Sequence, residues 1–273
     1  SVAARPGEAR LVALDVGQGD SFLIVTEKGR VLVDGGGTFD AAYDFGRTRL
    51  LPRLAALGAV SFDAVVLSHP HPDHARGLIA ALKLLPIGRV YLPRGAPRNL
   101  FLDEALASAA AGGVPVEALG AGDRFVAAGV EFEALHPGPA TYARSPENNG
   151  SLVLALRLDS RRILLTGDIE AAAEGDLVAG GADLSADVLK VAHHGSRTST
   201  TPAFLERVSP RLALVGVGRR NRFGHPGAGV VQRLAASGAR VFRTDLEGDV
   251  ALLFRQGRIL PSRPFAGLPG GLP

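Results

Sequence analysis

The sequence predicts an α/β fold built from two related halves. Three features carry that prediction. Strand-length apolar runs alternate with helix-length segments of helical periodicity. Two hairpins each end in an aspartate, at Asp34 and Asp168, and two later strands each run into histidines, at His69 and at His193-His194. Asp63 and Asp187 stand at matching positions, each six residues before the first histidine of its half. This repetition suggests two αβ units facing each other across one site.

Residues 1–9 read as an N-terminal tail. Residues 10–15 and 21–26 then form strands separated by Val16-Gly17-Gln18-Gly19-Asp20, where Gln18 and Asp20 are expected to cap the loop. The turn Glu27-Lys28-Gly29-Arg30 returns the chain into residues 31–33. That strand ends at Asp34-Gly35-Gly36-Gly37, a carboxylate followed by glycines that permit close backbone approach. Residues 47–57 have helical spacing, 64–67 form a strand, 78–85 a helix, 89–92 a strand and 100–111 a helix. Short strands follow near Val114, Phe125 and 130–135.

The second half opens with a hairpin of residues 151–158 and 162–166, a helix from Ile169, and a strand over 187–192. Helices at 202–208 and 229–237 alternate with strands at 211–215, 240–243 and 250–254. No linker interrupts residues 10–260, which read as one domain, and residues 261–273 read as a Pro/Gly tail.

Composition narrows the chemistry. With 273 residues, 46% of them apolar, the chain can bury a substantial core, and no apolar run reaches the roughly 18 residues of a membrane span. The absence of methionine points to a piece of a larger protein. The absence of cysteine excludes disulfides and thiolate ligands, so any metal must be held by His, Asp, Glu, Asn or backbone oxygen. Formal charge is +3, the sequence pI is about 9.7, and only Lys28, Lys83 and Lys190 among the 30 basic residues are lysine. Arginine favours bidentate contact with phosphate, which suits an anionic polymer. An arginine-preferring genome explains the same composition.

The segment Ser68-His69-Pro70-His71-Pro72-Asp73-His74 follows the apolar strand directly. A strand that ends this way delivers imidazoles and a carboxylate to one point on a sheet edge, as a divalent metal site requires. Asp34, Asp168 and the pair His193-His194 are the other candidates for that site. One member of the pair is expected to be a ligand, and the strand-end analogy with His69 favours His193. His136 reads as structural. The basic loop Arg219-Arg220-Asn221-Arg222-Phe223-Gly224-His225 is either a phosphate-binding rim or a solvated surface.

The order Asp34, HxHxDH at 69–74, Asp168 and His193-His194 resembles the metallo-β-lactamase superfamily. That resemblance implies an αββα sandwich of two mixed sheets flanked by helices, with two metals at the sheet edges. His69 and His71 would hold one metal, Asp73 and His74 the other, Asp168 would bridge them, and Asp34 would orient a ligand from behind. The superfamily's usual third histidine is replaced by Glu147-Asn148-Asn149. An Asn149 oxygen or a water would complete the shell, which shifts the expected metal from zinc towards manganese.

A narrower resemblance, carried by Leu14-Asp15-Val16-Gly17-Gln18-Gly19-Asp20-Ser21, Asn148-Asn149-Gly150-Ser151, Leu165-Thr166-Gly167-Asp168, Lys190-Val191-Ala192-His193-His194-Gly195-Ser196 and Gly224-His225-Pro226, is to the C-terminal domain of ComEC competence proteins. It implies a DNase domain on the outer face of the membrane, part of a membrane-embedded parent, that degrades the strand not imported during transformation. In that reading Asp73 and His194 serve catalysis. His225 or the unliganded histidine of the pair protonates the leaving oxygen, and Ser196, Arg219, Arg220, Arg222 and His225 contact single-stranded or duplex DNA. Two further readings stay open: hydrolysis of a small ester, lactone or β-lactam, and a DNA-binding module with a non-catalytic metal site.

Overall fold

The computed structural model describes residues 3–40, 43–139, 141 and 147–262. Strands β1 (Ala9–Ala13), β2 (Phe22–Thr26) and β3 (Arg30–Val33) form an antiparallel meander. A π turn and helix α1 (Leu51–Leu57) lead to β4 (Ala64–Val66), which pairs parallel to β3. Helix α2 (Pro72–Leu84), β5 (Val90–Pro93), α3 (Leu100–Ala111) and β6 (Val116–Leu119) complete the first half. With β14 (Val250–Arg255) and β15 (Arg258–Ser262) these strands make an eight-stranded sheet ordered β15-β14-β1-β2-β3-β4-β5-β6.

The second sheet runs β13-β12-β11-β10-β9-β8-β7. Its strands are β7 (Arg124–Ala127), β8 (Val130–His136), β9 (Val153–Leu158), β10 (Arg161–Leu165), β11 (Val188–Lys190), β12 (Leu212–Val215) and β13 (Arg240–Arg243). Helices α4 (Ala171–Ala179), α5 (Pro202–Val208), α6 (Ala228–Ala236) and the short α7 (Thr244–Glu247) accompany them. Among the described residues no helix is long and apolar enough to cross a membrane.

Strands buried on both faces read as unbroken apolar runs, and the side chains divide by parity. Phe22 and Ile24 of β2 and Leu154, Leu156 and Leu158 of β9 meet between the sheets. Leu23 and Val25 face outward under α1 and α2, while Val153 and Ala155 face α4 and α5. The result is the αββα sandwich that the resemblance implies. Helix α2 inserts Ala75, Leu78, Ile79 and Leu82 beneath the first sheet. Leu78 is fully buried, so Leu78→Ala should cost about 2–5 kcal/mol.

The pseudo-symmetry is visible in hydrogen bonds. Asp63 accepts the Arg30 amide at 2.7 Å, and Asp187 accepts the Arg162 amide at 3.0 Å, so each aspartate clips the return strand of its hairpin. Both hairpins therefore present their terminal aspartates, Asp34 and Asp168, at corresponding edges.

Two elements differ from expectation. Helix α2 begins at Pro72 rather than near Leu78, because proline's fixed φ and missing N–H suit a first helical turn. Asp73 and His74 thus sit on the helix rather than in a loop. Strand β15 extends to Ser262, into the stretch read as a tail, since Pro261 is tolerated on an edge strand. Residues 1–2 and 263–273 of the expected tails lie outside the described residues.

Candidate metal centre

The glycines after Asp34 let two backbones touch. A Cβ at Gly35 would lie 2.1 Å from the Leu78 nitrogen, and one at Gly37 would lie 1.8 Å from the Pro72 carbonyl oxygen. That contact seats the first turn of α2 against the end of β3. Asp34 itself adopts φ 60° and is buried. Its Oδ1 accepts the Ser68 amide at 2.7 Å, and its Oδ2 accepts from the Ser68 hydroxyl at 2.7 Å and from His74 Nδ1 at 2.8 Å.

With Nδ1 so engaged, His74 turns Nε2 towards Asp168 Oδ2, 3.2 Å away. Across the cleft His194 is held in the same manner. Its Nδ1 donates to the Gly216 carbonyl at 2.8 Å, leaving Nε2 3.2 Å from Asp168 Oδ2 and 3.4 Å from Asp73 Oδ2. A histidine whose Nδ1 is committed to donation presents the Nε2 lone pair, the usual form of a metal ligand. His69 and His71 pack beside this group, with ring centroids 4.2 Å from His69 to His74 and 4.6 Å from His69 to His71.

Asp20, His74, Asp168 and His194 each offer a ligand atom within 4.8 Å of the others, and all four are buried. The Nε2 atoms of His69, His74 and His194 are buried without a hydrogen-bond partner among the described residues. Buried polar atoms normally have partners, and nitrogen plus carboxylate oxygen is the donor set of a divalent transition metal. The residues present therefore fit such an ion.

Electrostatics knit the cluster together. Burial alone would raise the Asp168 carboxyl, but His194, His74 and Lys190 hold it well below the usual range. Burial would likewise depress His74 and His194, yet Asp168 with Asp34 or Asp20 raises both well above the ordinary imidazole value. Burial pushes His69 well down, with the neighbouring His74 adding to it. Lys190 lies fully buried beneath, contacting Asp20 and the Gly167 carbonyl and lying 3.1 Å from Asp168 Oδ1.

Several expected residues fall elsewhere. His193, favoured by the strand-end analogy, sits at the rim with Nδ1 3.2 Å from Glu170 and Nε2 4.0 Å from Asp168. His193 and His194 both take left-handed backbone, φ 49° and 53°, and this kink turns His194 inward. Asn149 directs its side-chain oxygen to the amides of Glu170 and Ala173, at 2.9 and 3.3 Å. It caps the start of α4, so that oxygen is committed to backbone amides. His136 bonds the Asn149 carbonyl at 2.7 Å.

Ser196 gives its amide to the His193 carbonyl at 2.8 Å and pairs its hydroxyl with that of Thr198 at 2.9 Å. His225 is half-buried near the pair, 5.5 Å from His193 between ring centroids. Burial, and then His193, lowers it to about 4. Arg219 is tied to the Asp245 carbonyl at 3.1 Å, while Arg220 and Arg222 are exposed.

Asp20 was expected only to cap a loop. The fold instead buries its carboxylate between Lys190 and His194, and packs it so closely that a Cβ at Gly216 would strike Oδ1. Lys190 was likewise not anticipated. The available signal was an acid and a lysine on otherwise apolar segments that end at the proposed site.

The Metallo-beta-lactamase superfamily profile matches residues 14–219. The chain belongs to the metallo-beta-lactamase superfamily. It is 32% identical over 260 residues to ComE operon protein 3 of Bacillus subtilis (strain 168), covering 91% of this chain and 33% of that protein. It is 36% identical over 253 residues to Competence protein ComA of Neisseria gonorrhoeae, covering 92% of this chain and 33% of that protein. The chain thus spans about a third of the length of these relatives, which bear out the resemblance to ComEC-type competence proteins. Among solved structures, the metallo-beta-lactamase fold protein YhfI from Bacillus subtilis superimposes with TM-score 0.54 at 13% identity, covering 93% of this chain and all of that one.

Proposed function

We propose that this domain is a metal-dependent phosphodiesterase, a DNase that degrades the strand left outside during DNA uptake, on the outer face of the membrane that holds its parent protein. The observation that carries the reading is the convergence of the buried Nε2 atoms of His74 and His194 on Asp168, beside an arginine-rich loop. The relatives, a competence protein among them, support a place in DNA uptake.

His69, His71, Asp73, His74, Asp168 and His194 would hold two divalent metals, manganese by preference over zinc, with Asp20 and Asp34 behind them. Such ions supply Lewis acidity towards a phosphodiester and a water nucleophile. The chain's residues prepare that chemistry. His194, His74 and Lys190 keep Asp168 ionised, and Asp34 and the Gly216 carbonyl fix the tautomers of His74 and His194. Glu170 orients His193 through Nδ1, leaving Nε2 on the Asp168 side to pass a proton to the leaving oxygen. His225, whose ring lies 5.5 Å from that of His193, is the other candidate for that donation. Arg220 and Arg222 would pair with phosphates.

The test is hydrolysis of end-labelled DNA by metal-free protein resupplied with manganese, zinc or magnesium. Metal-dependent shortening that disappears in Asp73→Ala is expected. Cleavage that persists in that variant would refute the two-metal site, and binding without cleavage under every metal would favour a DNA-binding module.

A further inference from the structure

An unbroken row of planar side chains leads out of the cluster. The Arg222 guanidinium carbon lies 5.7 Å from the Phe39 ring centroid and 5.3 Å from that of Phe223. Phe223 stacks on His225 with centroids 5.8 Å apart and planes 16° apart. His225 in turn lies 6.5 Å from His194. Phe39 belongs to the loop after β3 and Phe223 to the loop after β12, so the row joins the two halves across the cleft. Both phenylalanine rings face solvent, at 57% and 47% exposure.

We propose that Phe39, Arg222 and Phe223 form a stacking platform for the unpaired bases of a single DNA strand, which delivers the adjoining phosphodiester to the metal cluster. The inference rests on the nuclease reading and adds a substrate class to it. Bases within a duplex stack on one another and offer no free face, whereas an unpaired base can lie on an aromatic ring or a guanidinium plane. The loop that carries Phe223 contributes Arg219, Arg220 and Arg222 and no acidic residue between 218 and 227. Exposed rings set in such positive charge complement an anionic strand of aromatic bases, and an apolar protein partner would leave those arginines unanswered.

The experiment measures binding of a labelled oligonucleotide, single-stranded or as the duplex of the same sequence, to metal-free protein in EDTA. Binding is thereby separated from hydrolysis, so failure of the nuclease reading is registered by the metal assay and not here. Phe39→Ala combined with Phe223→Ala should weaken single-strand binding roughly tenfold or more, change duplex binding less than about twofold, and leave the single-strand preference partly restored in Phe223→Tyr. Equal losses for both forms, or none for either, would overturn the platform. Because both rings are exposed, the substitutions spare the core, and an unchanged melting temperature checks this.

Discussion

Asp34 Oδ2 lies 2.8 Å from Nδ1 of His74, and the same carboxylate also accepts both donors of Ser68. One side chain thereby fixes the ring of a candidate ligand and the backbone that carries the next one, His69. An outer partner of this kind sets tautomer and orientation without touching the metal.

Asp34→Ala is therefore expected to weaken manganese binding about 10- to 100-fold while leaving the ligand set intact. Isothermal titration calorimetry on metal-stripped protein checks it. An affinity within twofold of the parent would show that His74 needs no such orientation.

The two adjacent histidines should separate cleanly. His194→Ala removes an Nε2 at the centre and should reduce bound metal at equilibrium dialysis by more than an outer partner does. His193→Gln should leave metal content unchanged and lower kcat on DNA about 10²- to 10⁴-fold through loss of a proton donor. If His193→Gln also emptied the site, the assignment of roles would be reversed.

The alternation of strands and helices and the HxHxDH stretch were legible because short-range periodicity and tight spacing encode them, while the sandwich came from the resemblance to the metallo-β-lactamase superfamily. Asp34 and Asp168 were legible as ends of repeated hairpins. The roles of Asp20 and Lys190 were not. Their partners are set by tertiary contact, with Lys190 lying 170 positions after Asp20 in the chain. Nor does spacing say which of two neighbouring histidines faces inward, since the left-handed backbone at His193 and His194 decides it. Asn149 reads as a candidate ligand from its place in the motif order, and spacing does not reveal that its side-chain oxygen also accepts from the amides at the start of α4.

His225 provides a pH signature. Its pKa falls from the ordinary 6.5 to about 4 in the folded chain, mainly through burial. The fold thus prefers the neutral ring, while the unfolded chain takes up a proton near pH 6.5. Its contribution to stability is full above that pH and is lost as pH falls towards 4. Urea unfolding should show the parent losing stability relative to His225→Gln as pH drops through this window, and an NMR titration of the metal-free protein should place the His225 midpoint near 4. A midpoint near 6.5 would contradict the prediction.

Lys190 is the remaining test, because it is buried and opposes two carboxylates. Burial would lower its pKa, yet Asp20 and Asp168 raise it, so the ammonium form is retained inside the protein. Lys190→Met should take away one of the cations that hold both acids ionised and destabilise the metal-free domain by roughly 3–5 kcal/mol, the cost of breaking a buried ion pair from one side. Metal bound to the folded state alone adds stability by mass action. It also supplies positive charge beside Asp168, so manganese should stabilise Lys190→Met more than it stabilises the parent. Denaturation of both proteins with and without manganese measures that difference directly. An identical increment in the two would mean that lysine and metal do not share the charge of Asp168, and the electrostatic account of the centre would fall with it.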